Sequence, residues 1–151
     1  MPQSLVQLYV HLVFSTKDRT PHLTNMDHRN ALYKYLRGIF DNLNSPIVEI
    51  GGVEDHVHIL CRFSGGLSIQ SLLMEVKRDS LKYLKTLSPK LSDFYWQRGY
   101  GAFSVSPSHV PQLIEYIRNQ VEHHKTESFQ DEFRRLLRKY KIEFDERYVW
   151  D

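Results

Sequence analysis

Cysteine is nearly missing from this 151-residue chain. Cys61 stands alone, so no intrachain disulfide can form and no cysteine-rich zinc site is available. Long apolar runs are missing as well. Stretches such as Val57 with Ile59–Leu60, or Leu72–Met74, fall far short of the ~20 residues a membrane-spanning helix needs, and the N-terminus lacks a basic-then-apolar signal. The expectation is a cytoplasmic protein with no membrane partner. Internal repeats and low-complexity tracts are absent, which leaves no solenoid or collagen-like array to consider. What remains, at 41% hydrophobic, 25% charged and 13% aromatic, describes one ordinary domain over residues 1–151, large enough to bury a core. Net charge is only +2, but it is unevenly spread. Residues 62–98 hold Arg62, Lys77, Arg78, Lys82, Lys85, Lys90 and Arg98 against Glu75, Asp79 and Asp93, a local excess that suits a polyanion or simply a solvated helix face.

The aromatic and β-branched stretch Gln7 to Phe14 reads as a first strand, closed by the polar turn at Ser15–Arg19. Asn25 or Asp27 can cap a helix whose Leu32, Tyr35, Leu36, Ile39, Phe40 and Leu43 recur at helical spacing until Asn44-Ser45-Pro46. Ile47–Ile50 and Val53–Phe63 read as two strands joined by a Gly51-Gly52 turn. Ser68 can cap a long helix to about Leu87, with Lys77, Arg78, Lys82 and Lys85 between its apolar positions. Phe94–Val105, with glycines at 99 and 101, suits a bent strand pair. A helix from Ser108 to about His124 follows, with Val110, Leu113, Ile114, Ile117 and Val121 as its apolar stripe. A last amphipathic helix covers about Ser128–Tyr140, and the tail Lys141–Asp151 is too apolar for a free linker. The order predicts an α+β sandwich of the ferredoxin-like or RNA-recognition type, with an antiparallel sheet, helices on one face and the other face open.

Glu54–Leu60 is the most informative stretch. In a strand, alternate side chains share a face, so His56 and His58 stand together while Val57 and Ile59 enter the core. Two imidazoles on one face can grip a divalent metal, or be no more than a surface pair. Tyr116 and Gln120, spaced i and i+4, meet on the shoulder of the helix that follows Ser108, with His123 beside them. Either residue alone is ordinary packing or solvated surface. Together they can set a phenol nucleophile and an amide oxygen beside a metal held by His56 and His58.

At these residues the chain resembles the single-tyrosine HUH transposases of small bacterial insertion sequences, named for a His-hydrophobe-His strand. The resemblance runs through Tyr9–Arg19, Gly51–Leu60, Trp96–Ser106, Tyr116–His124, Ser128–Leu137 and Asp145–Asp151. It implies His56 and His58 as histidine metal ligands, Gln120 as the third ligand and Tyr116 as the nucleophile. It implies enzymes that cut and rejoin single-stranded DNA through a 5′-phosphotyrosine, with a divalent metal and no nucleotide cofactor. It also implies homodimers that recognise DNA hairpins near the element's ends and pair the histidines of one subunit with the tyrosine of the other. The chemistry is consistent with Mg²⁺ or Mn²⁺, since a hard cation polarises a phosphoryl oxygen while a phenolate leaves well enough for the strand to be rejoined.

Lys17, Arg19, Lys77, Arg78, Lys82 and Lys85 are placed for DNA phosphates, and Tyr95 and Tyr100 for stacking on unpaired bases, while Trp96 is better suited to the core. His123 and His124 are candidates for a supporting role around the metal. Asp55 is expected on the opposite face of the strand from the histidines, orienting backbone. Two other classes compete: a non-catalytic single-strand binding module, and a metal-dependent nuclease in which water replaces the tyrosine.

Overall fold

The computed structural model describes residues 2–151. Four strands, β1 (Tyr9–Ser15), β2 (Ile47–Gly52), β3 (His56–Arg62) and β4 (Gly101–Val105), form one antiparallel sheet in the order β2-β3-β1-β4. Between them run α1 (Met26–Asn42) and α2 (Ile69–Leu87), and after β4 come α3 (Val110–Arg118), α4 (Gln120–His123) and α5 (Phe129–Lys139). The expected α+β sandwich is present, with the connectivity of a ferredoxin-like sheet.

Helix starts are set by side chains that satisfy otherwise unpaired backbone N–H groups. Asn25 accepts from the N–H of Asp27 and His28, Ser68 from Ser71, and Ser128 from Asp131. On one face of the sheet Leu12, Phe14, Val57, Ile59 and Cys61 meet Leu32, Leu36 and Phe40 of α1 and Leu72, Val76 and Leu84 of α2, all of them buried. This core follows the alternation and the helical periodicity read from the sequence.

The second face is not open. Val13 and Phe103 pack under Phe129, Phe133, Leu136 and Leu137 of α5, with Phe144, Val149 and Trp150 of the C-terminal segment completing the cluster. The apolar stripe of α5 needs a hydrocarbon surface, and the outward side of β1 and β4 supplies it.

Three boundaries differ from the sequence reading. Gly51 and Gly52 end strand β2 instead of forming its turn, which falls at Val53–Asp55. Both sit in close approaches: a Cβ on Gly51 would lie 2.6 Å from the Ile117 carbonyl oxygen, and one on Gly52 2.2 Å from that of His56. Only Gly101–Val105 of the Phe94–Val105 segment is a strand; Trp96 forms a lone bridge to Thr16, and its indole N–H donates to Ser80 from within the core. The helix after Ser108 breaks at Asn119, and Val121, expected in its apolar stripe, is 51% exposed.

Candidate active site

Strand alternation places His56 and His58 side by side on the face under α5, both fully buried. Helix α3 crosses the β2–β3 end of that face, close enough for Ile117 to touch Gly51. One turn before and just beyond the Asn119 break, Tyr116 and Gln120 reach the histidines. Gln120 Oε1 lies 3.1 Å from His56 Nε2, and the rings of Tyr116 and His58 are 5.7 Å apart. The residues that the sequence singled out therefore converge within one chain.

At their centre stands a residue the sequence reading passed over. Glu132 of α5, fully buried, brings Oε1 to 2.9 Å from His58 Nε2, 3.0 Å from His124 Nε2 and 3.3 Å from His56 Nε2. Its Oε2 accepts from Gln120 Nε2 at 3.2 Å and from the Tyr116 hydroxyl. A signal for it was available. Phe129, Glu132, Phe133, Leu136 and Leu137 fall at the spacing of one buried stripe, and an acid in such a stripe demands partners.

Two further residues hold the histidines. Asp55 accepts from His56 Nδ1 at 2.7 Å, so this carboxylate grips the imidazole directly instead of orienting backbone on the far face. It can do so because β3 begins only at His56, leaving Asp55 in the preceding turn. His11, on the same sheet face one strand over, places Nε2 2.9 Å from His58 Nδ1.

The electrostatics follow from burial around one carboxylate. Burial pushes His58 down to about 4, and burial together with the neighbouring His58 drives His11 well below the usual imidazole range. Burial would lower His56 too, but its hydrogen bonds to Asp55 and Glu132 carry it up to about 9. For Glu132 the penalty of burial is outweighed by His58, His124 and His56, which hold it well below the usual carboxylate range. Burial and the charge of Glu132 raise the Tyr116 phenol, while Arg135, whose Nη2 donates to the phenolic oxygen at 2.8 Å, works against that rise.

One ligand atom each from His56, His58, His124 and Glu132 lie within 4.8 Å of one another. Imidazole nitrogens, a carboxylate oxygen and the nearby amide oxygen of Gln120 form a donor set that fits a divalent cation, and Glu132 supplies negative charge to balance it. His123 stands one step out, its ring 5.3 Å from that of Tyr116 and its Nε2 2.6 Å from Glu127.

The basic candidates lie elsewhere. Helix α2 packs on the opposite face of the sheet, so Arg78, Lys82 and Lys85 are remote from Tyr116. Lys77 is turned inward, where its Nζ donates to the carbonyls of Gln97 (2.8 Å), Arg98 (3.1 Å) and Gly99 (2.9 Å), so it is a clamp on that loop and not a free phosphate ligand. Arg19 likewise donates to the Trp150 carbonyl at 2.7 Å. Lys17 is exposed, and both it and Lys85 approach the exposed Tyr95 ring, at 5.9 and 4.1 Å from its centroid.

A histidine pair on a ferredoxin-like sheet, joined by a helix-borne tyrosine, defines the class of this protein as an HUH-type single-tyrosine DNA-processing fold. Residues 4–120 match the family model described as Transposase IS200 like, and the chain belongs to that family of transposases. The match ends at Gln120, so His124, Glu132 and Arg135 fall outside it. No curated protein matches the chain. Among solved structures, a candidate transposase from Deinococcus radiodurans aligns over 80% of this chain and 95% of its own, at 22% identity and a TM-score of 0.62. A REP-associated tyrosine transposase bound to a REP hairpin aligns over 82% and 73%, at 12% identity and a TM-score of 0.61. These likenesses show a shared fold. No helix among the described residues is long and apolar enough to cross a membrane.

Proposed function

We propose that the protein cleaves and rejoins single-stranded DNA at the ends of an insertion sequence, with Tyr116 as nucleophile and a 5′-phosphotyrosine as intermediate. The observation that carries this reading is the contact of the Tyr116 hydroxyl with Glu132, inside the buried histidine cluster of the same chain. His56, His58 and Gln120, with Glu132 alongside, would hold a divalent ion, Mg²⁺ or Mn²⁺, which when bound polarises a phosphoryl oxygen against the charge that builds there.

The raised phenol is protonated at rest, so its proton must leave as the Tyr116 oxygen bonds to phosphorus. Glu132, kept ionised by the surrounding histidines, accepts the hydrogen bond of this hydroxyl and orients it, and the proton passes to solvent. Arg135 donates to the same oxygen and stabilises it as phenolate when the link later reverses. The P–O3′ bond breaks, and the departing oxygen takes up a proton to become a 3′-hydroxyl. Asp55 and His11 keep the two imidazoles oriented throughout.

The family resemblance implies a tyrosine supplied by a second subunit. In this chain α3 is docked on its own sheet by the Ile117–Gly51 contact, and the tyrosine meets its own histidines. We therefore read the expected homodimer as two self-contained sites. Arg78, Lys82 and Lys85, on the face of the sheet opposite the tyrosine, together with the exposed Lys17, would hold a DNA hairpin, a ligand of the kind named for the REP-associated relative.

Incubation with labelled single-stranded DNA, followed by a denaturing gel, tests the reading. The expected result is a covalent protein–DNA band that is absent for Tyr116→Phe, lost in EDTA and restored by Mg²⁺ or Mn²⁺. Free fragments from Tyr116→Phe would instead make the protein a water-using nuclease, and intact DNA throughout would make it a binding module. Mixing Tyr116→Phe protein with His56→Ala/His58→Ala protein is expected to give no recovery; restored cleavage would show that the sites are shared.

A further inference from the structure

Beside the tyrosine, a cavity of about 550 Å³ opens between β4, α3 and α5, with His11 on its wall. Tyr116 and Arg135 line it, Lys139 stands one turn further along α5, and Tyr140, His109 and Gln112 make up much of the remaining wall. We propose that this cavity seats one nucleotide of the single strand next to the scissile phosphate, a proposal that rests on the strand-cleavage reading above.

Its chemistry differs sharply from that of the histidine cluster. No acidic side chain lines the cavity, whereas Arg135 and Lys139 place two cations there. Arg135 bridges both regions: Nη2 donates to the Tyr116 hydroxyl at 2.8 Å, and Glu127 holds the same nitrogen at 2.9 Å, which fixes the guanidinium in the cavity wall. A phosphate attached to Tyr116 would therefore meet Arg135 directly, and its neighbour along the strand would meet Lys139.

The wall also suits a base. Tyr140 stacks on Phe103 with ring centroids 4.7 Å apart and an interplanar angle of 26°, so its ring is held flat, and Lys139 Nζ lies 6.0 Å from its centroid. A fixed aromatic ring beside cations is the usual means of holding an unpaired base with its phosphate. Ser104, Ser106, His109 and Gln112 supply polar groups that can meet base edges. The volume falls within the roughly 300–1,000 Å³ range of small-ligand sites, which accommodates one base and its sugar. A duplex keeps its bases paired and stacked and cannot place one in such a recess.

The test measures binding apart from chemistry. In a Tyr116→Phe background, anisotropy of a fluorescein-labelled, random-sequence single-stranded hexanucleotide reports affinity. Lys139→Ala is expected to weaken binding and to lower the salt slope by about 0.7. Tyr140→Leu, which keeps an apolar contact with Phe103, is expected to weaken it about tenfold, and an unlabelled, fully paired blunt duplex of about 20 base pairs should not compete. Parental affinity and salt slope in both variants, or competition by the duplex at equal strength, would overturn the proposal. Lys139 is exposed on a helix end, so its variant stands as a test even if Tyr140→Leu does not fold. Adduct formation by protein with Tyr116 intact is scored separately. Loss of the adduct with variant-sensitive hexamer binding defeats only the cleavage reading, and an adduct with variant-insensitive binding defeats only the cavity.

Discussion

The two faces of the sheet are both covered, but by different kinds of interior. Under α1 and α2 the contact is hydrocarbon: Leu12, Phe14, Val57 and Ile59 against leucines, valine and phenylalanine. Under α3, α4 and α5 an apolar cluster at the β1–β4 side gives way to three imidazoles, an amide and a phenol gathered around one carboxylate. The first interior is held by non-directional burial, and its residues are interchangeable within limits of volume. The second is held by directional hydrogen bonds, each of which leaves a costly unpaired group if its partner is removed. The first face therefore tolerates changes of shape within its volume, and on the function proposed above the second carries the chemistry.

Substitutions can separate these roles. The largest effect is expected from Glu132→Gln, which removes the charge facing His56, His58 and His124. Single-turnover adduct formation should fall by about a hundredfold, in line with misplacement of the reacting phenol oxygen. Glu132→Ala should in addition cost about 3–5 kcal/mol of stability by denaturant titration, because buried imidazolium is left without its counter-charge. Next is Phe40→Ala on the other face, with an expected loss of about 3–5 kcal/mol and an unchanged adduct rate wherever the variant stays folded. If Phe40→Ala slowed the chemistry as much as it lowered stability, the division between faces would fail.

Asp55→Asn and His11→Ala are expected to weaken Mn²⁺ binding by about 10–100-fold in a calorimetric titration, since each orients an imidazole that on the proposed reading would hold the metal. A smaller change is expected from Gly51→Ala. Its Cβ would meet the Ile117 carbonyl at 2.6 Å, so α3 must lift, at a cost of about 1–3 kcal/mol and a slower adduct rate. Smallest of all is Lys82→Ala on the exposed side of α2, which should lower the salt slope of hairpin binding by roughly 0.9 and leave the chemistry untouched. An equal loss of cleavage in that variant would bring α2 into the reaction and blur the comparison.

Much of this was legible in local pattern. Aromatic and β-branched composition marked β1, period-two alternation marked β3, helical spacing marked α1, α2 and α5, and Asn25 and Ser68 marked helix starts, because burial of regularly spaced apolar groups and capping of free N–H groups act over a few residues. The same alternation put His56 and His58 on one face, and helical spacing put Tyr116 beside Gln120. Local pattern could not say whether that face met water or protein. Glu132 and Arg135 lie on α5, and only the docking of that helix across β1 and β4 brings them to the tyrosine, while the pairing of β1 with β3 brings His11 to His58. The basic residues show the converse. Lys77 reads as one more cation on α2, and tertiary packing turns it onto three carbonyls. The sequence by itself determined where the main elements lie and, for most of them, which side is apolar, since those preferences are local. The tertiary structure decided which polar groups face one another, because a hydrogen bond or an ion pair exists only where two separately formed elements meet.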